Sequence, residues 1–187
     1  MAIHTERTLI DLLKPEEAEL MCQYQQDNKA HLQPWEPLRN EEYYTLEYWQ
    51  KLIPHRQRLY ETGRELPYAI FNSERTALIG TCHFSNIVHG PFMACYLGYG
   101  MAQAYQGQGY MTEALEACLQ RVFTVLGLNR VMANYMPSNE KSGAVLERLG
   151  FQKEGVAKSY LKINGRWEDH IMTSKLNPNH FHLPIHK

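Results

Sequence analysis

The chain has 187 residues, enough for one domain with a sizeable core and short for two. Hydrophobic residues make up 44% and charged residues 21%, a balance that excludes a disordered chain. Nineteen basic and twenty acidic residues leave a formal charge of −1, which speaks against a whole-surface nucleic-acid or membrane binder. No apolar run approaches the ~20 residues of a membrane span, and the first residues, Met1 to Arg7, lack the apolar segment of a signal peptide. The expectation is a cytoplasmic protein. Cys22, Cys82, Cys95 and Cys118 are far apart in sequence, which speaks against disulfides or a zinc site, and inert buried thiols are expected at Cys82, Cys95 and Cys118. His180, His182 and His186 lack flanking partner ligands, so they read as a surface tail and no metal is expected.

In chain order, Thr8 to Leu13 reads as a first strand. Pro15, Glu16 and Glu17 suit the first turn of a helix running to about Asn28. His31 to Arg39 contains Pro34 and Pro37 and reads as a loop. Glu41 to Ile53 reads as a second helix that Pro54 kinks or interrupts, with more helix expected up to Gly63. Tyr68–Phe71, Leu78–Phe84 and Ala94–Met101 read as a meander of three strands. Met111, Leu115, Cys118, Val122 and Leu126 then recur at helical spacing, and Gly127 ends that helix. Arg130 to Met136 reads as a strand and Glu140 to Leu149 as a short helix. Phe151–Ala157 and Trp167–Lys175 form a last pair of strands around Asn164-Gly165, a hairpin signal. These elements predict an α+β domain over residues 5–176, on one mixed, mostly antiparallel sheet of about seven strands, followed by a tail over 177–187.

The most informative segment is Gln106-Gly107-Gln108-Gly109-Tyr110-Met111-Thr112, between the meander and an amphipathic helix. Two glycines let backbone N–H groups turn toward one point, and the helix start adds its own free N–H groups and partial positive charge. Such a cradle suits a pyrophosphate, although a plain turn fits these few residues as well. No lysine follows, against a P-loop, and Thr112 replaces the third glycine of a dinucleotide fingerprint.

Gln106-x-x-Gly109, placed after a meander and before a helix, resembles the acetyl-CoA loop of the GNAT superfamily of N-acetyltransferases. Met111 stands at the motif's last position, a departure shared with the branch that modifies ribosomal protein N-termini. The likeness to bacterial ribosomal-protein-alanine N-acetyltransferases extends over about Thr5 to Leu176. It is carried by Leu32-x-Pro34-Trp35-Glu36-Pro37, Phe84-Ser85-Asn86, Ala94 to Tyr99, Met132 to Pro137, Arg148 to Gly155, and Tyr160 to His170.

The resemblance implies helices on both faces of a sheet with a central splay, between Ala94–Met101 and Arg130–Met136. It implies acetyl-CoA as co-substrate and the N-terminal alanine of a small-subunit ribosomal protein as acceptor, with the assembling ribosome as a further partner. Backbone at Tyr99, Gly100 and Met101 would then take the pantetheine arm, and Gln106, Gly107, Gln108, Gly109, Tyr110, Met111 and Thr112 the pyrophosphate. Asn139, which also reads as a helix cap, would bond the pantetheine. Ser142, three residues on, would protonate the departing thiolate or, more plainly, bond the local backbone.

No base is evident: Asn134 stands where some relatives carry a glutamate base, and Leu146 where some carry a tyrosine acid. An α-amine needs little help, because it titrates near ~7.7–8.0 against ~10.4 for lysine. Water, a backbone carbonyl, Glu36 or Asp169 are candidates, Glu36 reading otherwise as a solvated loop carboxylate and Asp169 as a structural partner. Trp35, Tyr43, Tyr44, Tyr48 and Trp49 read mostly as core, one or two of them as a peptide-groove wall. A polyamine acetyltransferase, with Glu41-Glu42 as its nearest carboxylate pair, and a CoA-binding assembly module without turnover are the alternatives.

Overall fold

The computed structural model describes residues 2–179. Its strands are β1 (Ile3–His4), β2 (Thr8–Leu12), β3 (Leu66–Asn72), β4 (Leu78–Val88), β5 (Ala94–Met101), β6 (Arg130–Met132), β7 (Gln152–Ile163) and β8 (Arg166–Leu176). They form one eight-stranded sheet in the order β1-β2-β3-β4-β5-β6-β8-β7. Every neighbouring pair is antiparallel except β5 and β6. The eighth strand is Ile3–His4, too short to announce itself in the sequence. The histidines His180, His182 and His186 lie outside the described residues.

Helices α1 (Ala18–Asp27), α2 (Lys29–Leu32) and α3 (Leu46–Glu61) lie on one side of the chain's strand–helix crossover, and α4 (Tyr110–Thr124) and α5 (Glu140–Arg148) follow it. The period-2 alternation of the strands divides the core between two faces. Ile10, Tyr68, Ile70 and Cys95 pack with Leu115, Cys118 and Val122 of α4. Leu9, Ala69 and Phe71 pack on the opposite face with Met21 of α1 and Trp49 and Ile53 of α3. All four cysteines are buried and unpaired.

The stretch expected to be one helix from Glu41 is two elements. Glu41–Tyr44 forms a 3-10 turn capped by Asn40. Thr45 then caps α3, its hydroxyl accepting from the Tyr48 amide at 3.3 Å. α3 continues through Pro54 to Glu61 without interruption. A proline inside a helix costs about 3 kcal/mol, and burial of Trp49 and Ile53 against the sheet offsets it. Within the expected loop over 31–39, Gln33–Trp35 makes a further 3-10 turn. The β7–β8 hairpin turns at Asn164 and Gly165, whose φ angles of 43° and 82° are those of a two-residue primed turn.

The expected strand over Arg130–Met136 is shorter, and the reason defines the molecule. β5 and β6 pair only at Ala94↔Arg130, Cys95↔Val131 and Tyr96↔Met132. Beyond them β5 stays with β4 as far as Gly80↔Met101. The other side stays with β8: the Ala133 amide donates to the Thr173 carbonyl at 3.1 Å, and the Tyr135 amide to the Ile171 carbonyl at 3.2 Å. The sheet therefore parts along a seam, and among the described residues one edge of Leu97–Met101 has no strand opposite it.

Candidate active site

An unpaired strand edge holds backbone groups that seek a partner. The seam opens into a cleft of about 790 Å³, lined by Tyr99, Gly100 and Met101 of β5 and by Asn139 and Ser142 of α5. Its far wall is the loop before α4, through Gln106, Gly107, Gly109, Tyr110, Met111 and Thr112. Eleven of the twelve ligand-binding positions expected from the sequence thus border one space. Gln108 does not: its side-chain amide donates to the Ala104 carbonyl at 2.9 Å, away from the cleft.

The loop owes its shape to glycine. Gly107 and Gly109 have φ of 72° and 84°, the left-handed region that costs a side chain about 1–2 kcal/mol. Gly109 caps α4, so the helix start presents its free N–H groups to the cleft. Arg7, from the β1–β2 turn, secures the loop. Its guanidinium donates to the Gln108 carbonyl at 2.9 Å, bonds Glu113 Oε2 at 2.7 Å, and lies 4.4 Å over the Tyr110 ring. Opposite, the Gln106 side chain spans from His31 Nε2 at 2.8 Å to Lys141 Nζ at 3.1 Å.

Asn139 caps α5 through its side-chain oxygen, which accepts from the Ser142 amide at 3.2 Å. The Ser142 hydroxyl meets the Tyr99 hydroxyl at 2.7 Å, across the seam. Burial pushes the Tyr99 phenol well above its ordinary range, opposed in part by that hydrogen bond. The two hydroxyls thus stand in hydrogen-bond contact where both residues line the cleft.

On the other face of β5 lies a second cavity of about 280 Å³. It shares Trp35, Glu36 and Tyr99 with the cleft, so the two spaces meet there. Gly98 forms part of its floor, where an added Cβ would meet nothing within 4 Å. Tyr43, Trp49 and Ile53 wall it, and Arg39, Arg56 and His83 bring charge and polarity. Tyr43 and Trp49 belong equally to the core, whereas Tyr44 and Tyr48 border neither space.

Burial raises the Glu36 carboxyl above the usual carboxylate range, and the cations of Arg39 and Arg56 only partly counter it. Its nearest cation is Arg39 Nε at 3.8 Å, too far to hydrogen-bond. The hairpin tip closes over this segment, the Asn164 amide donating to the Glu36 carbonyl at 2.9 Å. His83 bonds Glu65 Oε2 at 2.9 Å. Burial and the nearby Arg56 lower its affinity for a proton, opposed in part by the Glu65 contact. Asp169 lies in neither space and is bound to Lys158 at 2.7 Å. Glu41 pairs with Lys29.

Arg7, Arg39, Arg56 and His83 escaped the sequence reading. Arg7 meets its partners 101 and 106 positions away, a distance no local pattern reveals. Arg56 did leave a trace. Trp49, Ile53 and Arg56 stand at i, i+4 and i+7, so a cation occupies the buried stripe of α3.

A split sheet, a glycine-shaped helix start at one end of the split, and a second cavity meeting it at the strand define an acyltransferase built to bring two substrates together end to end. The chain belongs to the acetyltransferase (GNAT) domain family, whose model matches residues 7–152. It is 39% identical over 175 residues to the ribosomal protein uS5-alanine N-acetyltransferase of Escherichia coli (strain K12), spanning 94% of this chain and 90% of that protein. The crystal structure of ribosomal-protein-S5-alanine acetyltransferase from Vibrio fischeri superposes with a TM-score of 0.92 at 38% identity, covering 96% of this chain and 98% of that one. Mycobacterium smegmatis RimJ in complex with CoA-disulfide superposes with a TM-score of 0.86 at 28% identity, covering 90% of this chain and 81% of that one.

Proposed function

We propose that the protein transfers the acetyl group of acetyl-CoA to the α-amine of an N-terminal alanine on a small-subunit ribosomal protein. The observation that carries this reading is the junction at Trp35, Glu36 and Tyr99, where a long cleft and a short cavity meet across an unpaired strand. The names of the E. coli and V. fischeri relatives support the acceptor, and the CoA species held by the mycobacterial one supports the donor.

The residues divide the work as follows. Amides of the loop from Gln106 to Thr112 take the pyrophosphate, and the free edge of Tyr99, Gly100 and Met101, with the Asn139 side chain, takes the pantetheine arm. Acetyl-CoA supplies the acyl group as a thioester. An N–H on the same edge polarises its carbonyl and stabilises the oxyanion that forms. A neutral α-amine entering from the short cavity makes the new C–N bond as the C–S bond breaks. Glu36 accepts the proton that the amine sheds, and the Ser142–Tyr99 relay delivers one to the departing thiolate. A raised carboxyl suits the first role, since it holds a proton more readily than an exposed glutamate.

Cationic acceptors fit less well. The short cavity carries two guanidiniums against one carboxylate, a field that repels a polyamine. Incubation with acetyl-CoA and purified small-subunit ribosomal proteins, followed by mass mapping, tests the reading. The expected product is a single acetyl on an N-terminal alanine. Label found only on internal lysines or on spermidine overturns it.

A further inference from the structure

The short cavity is oddly furnished for a site that accepts only an alanine. Arg56 reaches it from the buried stripe of α3, its guanidinium 5.9 Å from the centre of the Trp49 ring. Among the described residues it makes no ion pair. Arg39 lies flat on Tyr43 at 4.5 Å. Its Nε is buried without a hydrogen-bond partner, the Glu36 carboxylate standing 3.8 Å away. A buried donor left unmet costs about 1–3 kcal/mol. Such groups are retained where a ligand completes them. Among the described residues the one carboxylate lining this cavity is Glu36, and His83 is tied to Glu65. The apolar walls of Trp35, Tyr43, Trp49 and Ile53 weaken screening, which strengthens any charge pair formed here.

We propose that Arg56 and Arg39 bind an acidic side chain of the acceptor, placed among its second to fourth residues, and so select acidic N-terminal segments. This deepens the acetyltransferase reading and rests on it. An extended peptide advances about 3.3 Å per residue. With the amine at Glu36 and Tyr99, a carboxylate one to three residues on lies among the residues that line this cavity, beside Arg39 and Arg56. Planar guanidinium forks match a carboxylate in a way that an ammonium does not.

The test uses the full chain, acetyl-CoA and synthetic peptides that begin with alanine. Each carries glutamate, glutamine or lysine at position two, three or four in an otherwise neutral sequence. At one of these positions the glutamate peptide is expected to show a kcat/KM about tenfold higher, a difference residing in KM. In Arg56→Gln the glutamate-to-glutamine ratio falls toward one, and in Arg56→Glu a lysine peptide overtakes both. Equal rates for glutamate and glutamine at all three positions in the unaltered protein overturn the inference and leave the acetyltransferase reading intact. So does a ratio that survives both substitutions. Acetylation of free alanine in preference to every peptide also overturns it, assigning the guanidiniums to an α-carboxylate. Failure to acetylate any of the peptides removes both readings together.

Discussion

Glu36 is the residue whose environment suits its proposed role at a cost to the fold. Burial raises its proton affinity, and Arg39 and Arg56 restrain that rise. A carboxyl raised in the fold favours folding below its unfolded value near 4.3, and that contribution is lost as pH climbs through the folded value. At pH 7 the ionised form therefore weighs against the native state. Glu36→Gln should melt at the same temperature as the unaltered protein or higher, while kcat/KM for an alanine peptide falls about a hundredfold. Its pH profile should keep only the rise near ~7.7–8.0 that belongs to the amine. Thermal melts and initial rates from pH 5 to 9 check both halves. Ser142 tests the relay separately. Asn139 caps α5 through the Ser142 backbone amide, not its hydroxyl. Ser142→Ala should leave the helix in place and reduce kcat about ten- to a hundredfold, with the KM for acetyl-CoA little changed. That both border the cleft was legible from sequence, Glu36 through its Trp-Glu-Pro setting and Ser142 through its spacing from Asn139. Arg7 was not, because what matters about it is which distant groups it meets.

Among the elements, α5 is set most closely. A Cβ on Gly143 would stand 2.8 Å from the Tyr135 ring, which is itself buried. Gly143→Ala must push the helix off Tyr135 and carry Ser142 away from Tyr99. A loss of about 1–3 kcal/mol in stability is expected, with a fall in kcat larger than the stability loss explains. Chemical denaturation and steady-state kinetics on one preparation separate the two. The sequence revealed α4 through its regular apolar spacing and the hairpin through Asn164-Gly165, since both signals are local. It overran β6. Residues 133–136 carry strand propensity and do keep β-like bonds, but to β8 alone, and propensity does not say on which side a strand is paired. The same limit hid the break at Tyr44: 3-10 turn and helix share their apolar residues, and only Thr45, an N-cap in an unremarked place, divides them.

At the scale of the whole molecule, one mostly antiparallel sheet packed with helices followed from alternating and helical spacings that cannot be interchanged. Where the sheet divides does not follow from those spacings, since it is a property of pairing across about 35 residues. The family resemblance places it between Ala94–Met101 and Arg130–Met136, where the two strands do part. The division leaves β1 to β5 and β6 to β8 joined at three rungs. Helices α4 and α5 brace them from one side, meeting through the cluster that contains Leu115, Leu146 and Leu149. A ligand lying in the gap touches both parts, so it serves as a strand the polypeptide itself does not supply. Without it, the amides of Leu97–Met101 on the open margin should trade hydrogen for deuterium quickly, and those bonded to β4 slowly, giving two populations on a single strand. Saturation with CoA should merge them and slow Ala133–Met136 on the far bank as well, so that the two halves, loosely hinged when empty, resist opening as one body.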